Sequence, residues 1–158
     1  MDHLEKILGQ WKVERPDLDC TPMGIWGRIQ RMQSLASKSI ESTLKEFGLT
    51  KSDFDVLATL RRKGTPLTPT ELYQSALLSS GAMTAKLDKL QARELIARLP
   101  SGDDRRSLLV ALTDSGLALI DRAVSAHVDN EWQMLHPLDT SEQEQLATLL
   151  AKWLIHNE

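Results

Sequence analysis

The sequence predicts a mainly α-helical fold of six to seven helices that carries one two-stranded β hairpin. Three observations predict it. Apolar residues recur at the 3.6-residue period along both ends of the chain. Two short helices joined by a tight turn read from Thr68 to Ala92. Two short β-prone runs then flank a turn-rich, charged loop.

Taken in order, Asp2 to Lys12 places Leu4, Ile7, Leu8 and Trp11 at helical spacing, and Pro16 ends any helix there. Thr21 and Pro22 supply an N-cap and a first helical position for a long helix reaching about Phe47. Its expected buried stripe is Ile25, Ile29, Met32, Ala36, Ile40 and Leu44, and Gly48 is its stop. Thr50 and Asp53 frame the next start, Phe54, Leu57 and Leu60 mark its apolar side, and it ends near Arg62.

Thr68, Pro69, Thr70 and Glu71 form a capping box with proline at the first helical position. That helix is short, because Ser79, Ser80 and Gly81 follow closely and offer new N-cap hydroxyls. A second helix runs from about Gly81 to Ala92 with Met83, Leu87 and Leu90 on one face. Away from that face lie Ser80, Thr84, Lys86 and Lys89. An apolar inner face and a polar outer one, behind a short helix, suggest a helix-turn-helix whose second helix enters the major groove.

Leu95 to Leu99 and Ser107 to Leu112 are the two strand candidates, with Pro100 to Arg106 as the loop between them. Beside a helix-turn-helix such a hairpin makes a wing. Its Arg105 and Arg106 can enter a narrow minor groove, and Asp104 can pair with an arginine of the loop and hold the tip in shape. The plain alternative is a solvated surface hairpin. Thr113 then caps a long helix with Leu117, Ile120, Val124, Val128 and Leu135 on one face, and Pro137 breaks it. Asp139 and Glu142 open the last helix, whose stripe is Leu146, Leu149, Leu150, Trp153 and Leu154.

At 158 residues, 41% hydrophobic and 26% charged, the chain suits one globular domain spanning 1–158. No apolar run reaches bilayer-spanning length and the N-terminus lacks a signal-peptide pattern, so a cytoplasmic location is expected. The net charge of −3 conceals a division. Between Arg61 and Thr113 nine Lys/Arg face five Asp/Glu, so this section is +4 and the remainder −7. Screening cuts off distant charge within about 8 Å at physiological salt, so the acidic remainder does not veto DNA binding.

From Leu67 to Gly116 the runs Leu-Thr-Pro-Thr-Glu-Leu, Ser-Ser-Gly-Ala-Met-Thr, Leu-Asp-Lys-Leu, Glu-Leu-Ile, Asp-Asp-Arg-Arg-Ser and Leu-Thr-Asp-Ser-Gly follow in order. This order closely resembles MarR-type transcriptional regulators. The resemblance implies a winged helix-turn-helix homodimer on a palindromic operator, acting as a repressor and modulated by a small molecule. It implies dimerisation helices in 1–47 and 114–158 around a DNA-binding lobe at 50–112. A two-fold dimer also suits two half-sites one helical turn apart.

Ser80, Thr84 and Lys86 are the candidates for base-edge or phosphate contacts, Lys89 for the backbone, and Arg105 and Arg106 for the minor groove. Each hydroxyl has a helix cap or a surface position as its alternative. A second resemblance concerns an effector. Gln10 to Asp19 followed by Pro22, Met23 and Gly24 looks like the extra N-terminal helix of the urate-responsive PecS/HucR branch. That resemblance implies a ligand site at Trp11, Asp55, Lys86 and Arg98, with lysine standing at 86 where the branch has arginine. A tryptophan can stack on a planar heterocycle and cations can hold an anion. Lysine lacks the planar fork of arginine. Urate, a related purine or a phenolic, anionic or aromatic compound are the resulting effector candidates. Trp11 could equally serve a core or dimer interface, and Asp55 a helix start.

Two other functions compete. The lone Cys20 could sense peroxide, but Asp17 and Asp19 beside it disfavour a thiolate and no second cysteine is present to resolve it. A winged-helix module could instead bind protein partners. His3, His127, His136 and His156 show no metal-ligand spacing, and no cofactor is expected. An enzyme is rejected because there is no phosphate-binding glycine loop and no nucleophile elbow.

Overall fold

The structure is a computed structural model that describes residues 2–75, 80–100 and 108–158, with the side chains at 75 and 80–82 excepted. Its elements are α1 (His3–Glu14), α2 (Thr21–Glu46), α3 (Lys51–Lys63), α4 (Pro69–Ser75), α5 (Ser80–Ala92), β1 (Ile96–Pro100), β2 (Leu108–Leu112), α6 (Asp114–Leu135) and α7 (Thr140–Asn157). The fold is therefore mainly helical with one antiparallel hairpin, as the periodicities predict. Backbone contacts divide the chain into two compact units, Met1–Ser39 and Ile40–Glu158.

Caps begin the helices where the sequence signals them. Asp2 and Glu5, Thr50 and Asp53, and Asp139 and Glu142 form reciprocal capping boxes at α1, α3 and α7. At α4 the Glu71 carboxylate accepts from the Thr68 N–H at 2.7 Å, while the Glu71 N–H donates to the Thr68 hydroxyl. The Thr68 N–H and the Thr68 hydroxyl, both donating to the Glu71 carboxylate, hold the Glu71 carboxyl below its ordinary range. Thr21 departs from expectation. It is the first helical residue of α2 rather than its cap, and its N–H donates to the Asp19 carboxylate at 2.9 Å. Gly48 and Gly64 stop α2 and α3 with φ of +64° and +70°, a region that favours glycine.

Within the first unit, α1 seats two leucines on glycines of α2. A Cβ on Gly24 would lie 2.8 Å from Leu8 Cδ1, and one on Gly27 would lie 2.6 Å from Leu4 Cδ1. Asp2, already the α1 cap, also accepts from Arg28 Nε at 2.7 Å. One carboxylate thus starts the helix and ties it to α2.

Within the second unit the core is Leu44, Leu49, Phe54, Val56, Leu57, Leu60, Leu67, Leu72, Met83, Leu87, Leu90, Leu95, Ile96, Val110, Ile120 and Ala123. The hairpin pairs Ile96 with Leu112 through Pro100 with Leu108. The first strand runs one residue later than the predicted span at both ends, and Ser107, the expected start of the second, lies outside the described residues. Leu67 adds a bridge to Val110 through two backbone hydrogen bonds, so the segment entering α4 is stitched to the hairpin. That stitch fixes the helix pair relative to β2.

The long terminal stripes behave differently from the sequence expectation. Of the six α2 positions expected to be buried, only Leu44 is; Ile25, Ile29 and Met32 are exposed. On α6, Ile120 is buried whereas Leu117 and Val128 are exposed, and α7 buries none of its residues. The periodicity identified the apolar faces correctly, but a single chain does not fill them.

Candidate nucleic-acid interface

The interface is built on α5. Met83, Leu87 and Leu90 are each at most 2% exposed and anchor the helix on the core, so the opposite face points outward. Thr84 and Lys89 lie on that exposed face. Leu72 of α4 is fully buried, and α4 packs directly against α5. The Ser80 side chain, and Asp104, Arg105 and Arg106 of the wing loop, lie outside the described residues.

Lys86 does not share the exposure of its neighbours. Its Nζ lies 2.7 Å from Asp53 Oδ1 and 3.2 Å from the Thr50 hydroxyl. Asp53 itself is 6% exposed, and its Oδ2 accepts from the Thr50 N–H at 2.9 Å and the Thr50 hydroxyl at 2.7 Å. Burial pushes the Asp53 carboxyl up, but the Lys86 ammonium and the two Thr50 donors outweigh it, leaving the group below its ordinary value. The α3 cap and the α5 lysine therefore form one polar cluster around the buried Asp53 carboxylate. Sequence reading saw Asp53 only as a cap, because nothing local links it to a residue on another helix.

Arg98 of β1 also turns toward α5. It donates to Asp88 Oδ1 at 2.6 Å and to Gln91 Oε1 at 2.8 Å. The hairpin and the helix are thereby joined by side chains as well as by sequence. Asp88 and Gln91 were not anticipated as partners; their signal was only that they lie on the C-terminal half of the same helix.

Asp55, half-buried on α3, stands apart from this cluster. Burial raises its carboxyl above the ordinary value, with Lys51 and His127 drawing it partly back. The His127 ring stacks obliquely on Phe54 at 4.8 Å, and its Nε2 lies 3.2 Å from Glu131. A carboxyl raised in the folded state is a cost once charged, so it weakens stability as pH rises through its titration. Asp55→Asn is expected to raise Tm at pH 7, with the gain fading below about pH 4, a comparison that thermal melts at the two pH values check. Trp11 belongs to the other compact unit and is 38% exposed on α1.

A short helix, a core-anchored second helix with a polar outer face, and a following pair of antiparallel strands define a winged helix-turn-helix DNA-binding protein. The comparisons agree. The MarR family model matches residues 47–107. HTH-type transcriptional regulator PecS from Dickeya dadantii is 37% identical over 156 residues, covering 96% of this chain and 94% of that protein. A mutant of E. coli MarR complexed with operator DNA is 26% identical, covers 91% of this chain and 97% of its own, and superimposes with a TM-score of 0.73. AbsC, a MarR family transcriptional regulator from Streptomyces coelicolor, shares the fold at a TM-score of 0.78, covering 88% and 95% of the two chains with 23% identity.

This chain belongs to the MarR family. It is a DNA-binding transcriptional regulator and not an enzyme. Among the described residues no helix is long and apolar enough to cross a membrane.

Proposed function

We propose that this protein is a repressor that binds a palindromic operator as a homodimer in the cytoplasm and changes its affinity on binding a small anionic or aromatic molecule. The observation that carries the DNA-reading half is the polarity of α5: three core-anchored apolar residues on one side, Thr84 and Lys89 open on the other. Thr84 and Ser80 contact bases or phosphates, Lys89 meets the backbone, and Arg105 and Arg106 reach the minor groove, with Asp104 steadying the loop. Homodimerisation is supported by the exposed apolar faces of the terminal helices, which carry Ile25, Met32, Trp132, Leu149 and Ile155. The effector half rests on the resemblance in the Trp11, Asp55, Lys86 and Arg98 positions and on the similarity to PecS along nearly the whole chain.

Fluorescence anisotropy against the DNA upstream of its own gene, titrated with salt, tests the reading. Wild type binds with a steep salt dependence, and Lys89→Ala and Arg106→Ala each reduce the slope of log K against log salt by about 1. Slopes identical to wild type in both variants would remove these residues from the interface. Calorimetry with urate, xanthine and salicylate addresses the effector. Heat that is lost in Trp11→Ala and Arg98→Ala supports the ligand site, and no heat from any of the three removes those compounds.

A further inference from the structure

The end of α3, the segment after it, β2 and the first turns of α6 border a cleft of about 270 Å³. It lies within the second compact unit and contains none of the residues assigned to DNA or to the effector. Its walls are mostly apolar, formed by Leu60, Pro66, Ala111, Leu112 and Leu117. Leu60 is 3% exposed and Leu117 39%, so the cleft runs from the edge of the core to solvent. Leu117, which periodicity places in a buried stripe, therefore stands beside a space that the chain itself does not fill.

The cleft also has a cationic wall. Arg61 lines it, and its Nε and Nη2 donate to the Asp121 carboxylate at 2.6 and 3.4 Å. Those bonds occupy one edge of the guanidinium, and among the described residues Nη1 has no partner. An arginine carries five N–H donors in a planar fork, so it can hold a second carboxylate beside the first. Arg62 and Lys63 follow in the same last turn of α3. Asp121 sits on Arg61 and Glu71 lies near Lys63, so three cations meet two carboxylates and positive charge is left over. Apolar walls exclude a bare anion as the best fit, and an open guanidinium edge excludes a plain hydrocarbon. An apolar cavity of about 150 Å³ takes up benzene. About 270 Å³ therefore suits a carboxylate carrying a ring or a short alkyl chain.

We propose that this cleft binds a small carboxylate with an apolar tail, its head group on Arg61 Nη1 and its tail against Leu60, Ala111 and Leu117. The site goes beyond the effector reading, because it shares no residue with Trp11, Asp55, Lys86 and Arg98, and neither reading needs the other. A molecule seated there touches α3, β2 and α6 at once.

Octanoate is the probe, titrated into the full chain and followed by amide chemical shifts. Saturable shifts are expected at Gly64, Thr65 and Ala111, with acetate, the same head group without the tail, binding about tenfold more weakly or worse. Arg61→Met weakens octanoate binding about tenfold, and Leu117→Trp, which fills the cleft from an exposed position, does the same. Asp121→Asn carries the opposite sign. It breaks the same tie between α3 and α6, but it keeps the guanidinium and removes a competing charge, so octanoate binds several-fold tighter. Circular dichroism confirms that each variant is folded. Equal losses in Asp121→Asn and Arg61→Met overturn the inference, because Arg61 would then matter only through its tie to α6. So does acetate binding as tightly as octanoate, or an absence of saturable shifts at millimolar octanoate. Shifts confined to Trp11 and Arg98 would place the molecule in the effector site and overturn the inference while supporting that other reading.

Discussion

Gly116→Ala is expected to destabilise the protein by about 3 kcal/mol or more, read as a lower midpoint in urea or thermal unfolding. A Cβ on Gly116 would lie 1.9 Å from the backbone oxygen of Leu95 and 2.8 Å from its carbonyl carbon, and no side-chain rotation relieves a clash with backbone. The first turn of α6 is also tied down around this point. The Thr113 hydroxyl accepts from the Gly116 N–H at 3.0 Å and donates to the Glu94 carbonyl at 2.6 Å, and the Ser115 hydroxyl donates to that same carbonyl at 2.7 Å. Glu94 itself adopts a φ of +57°, which ends the turn after α5 and aims its carbonyl at α6. To accept a methyl group, α6 must back away from the Glu94–Leu95 backbone, breaking these bonds and loosening Leu95, Ile96 and Ile120 in the core. Because this junction connects the end of the reading helix to α6, operator affinity is expected to fall together with stability. A midpoint within error of wild type would show that the two backbones are not packed this closely.

The second large effect concerns assembly. The double variant Leu149→Asp/Ile155→Asp is expected to sediment as a monomer and to lose on the order of 100-fold or more in operator affinity, because two linked reading heads bind with a high effective concentration that one head lacks. Leu149 and Ile155 are 65% and 82% exposed in the single chain, so aspartate there costs the protomer little. In a dimer that buries them, each would place an unpaired charge in an apolar contact. Circular dichroism should stay at the wild-type level while the sedimentation coefficient falls. A variant that remains dimeric would move the interface away from these positions of α7.

Much of the fold was legible because the signals are local. Caps at Thr50, Thr68, Thr113 and Asp139 involve residues three apart, and the structure realises each of them. The inner face of α5 was legible for the same reason, since Met83, Leu87 and Leu90 fall on one side of a helix whatever it packs against. The α2 stripe shows the limit of that reasoning. Periodicity finds an apolar face but does not say what covers it, so Ile25, Ile29 and Met32 read as core and stand exposed in one chain.

Within the candidate interface, Thr84 and Lys89 were legible as outward-facing positions and Lys86 was expected beside them. Its capture by Asp53 and Thr50 could not be read from spacing, because an ion pair between helices depends on how α3 and α5 pack. The same holds for Arg98 with Asp88 and Gln91, and for the Gly116 contact with Leu95.

The sequence by itself determined where helices begin and end, which faces are apolar, and that a helix pair precedes a hairpin. Backbone hydrogen bonds, caps and helical periodicity act over a few residues, so they are written in neighbouring letters. The tertiary structure alone decided which cation on the reading helix is tied down and which stays open, and where two backbones meet too closely for a side chain. Those outcomes depend on distances between segments remote in the chain, and such distances exist only once the core has brought the segments together.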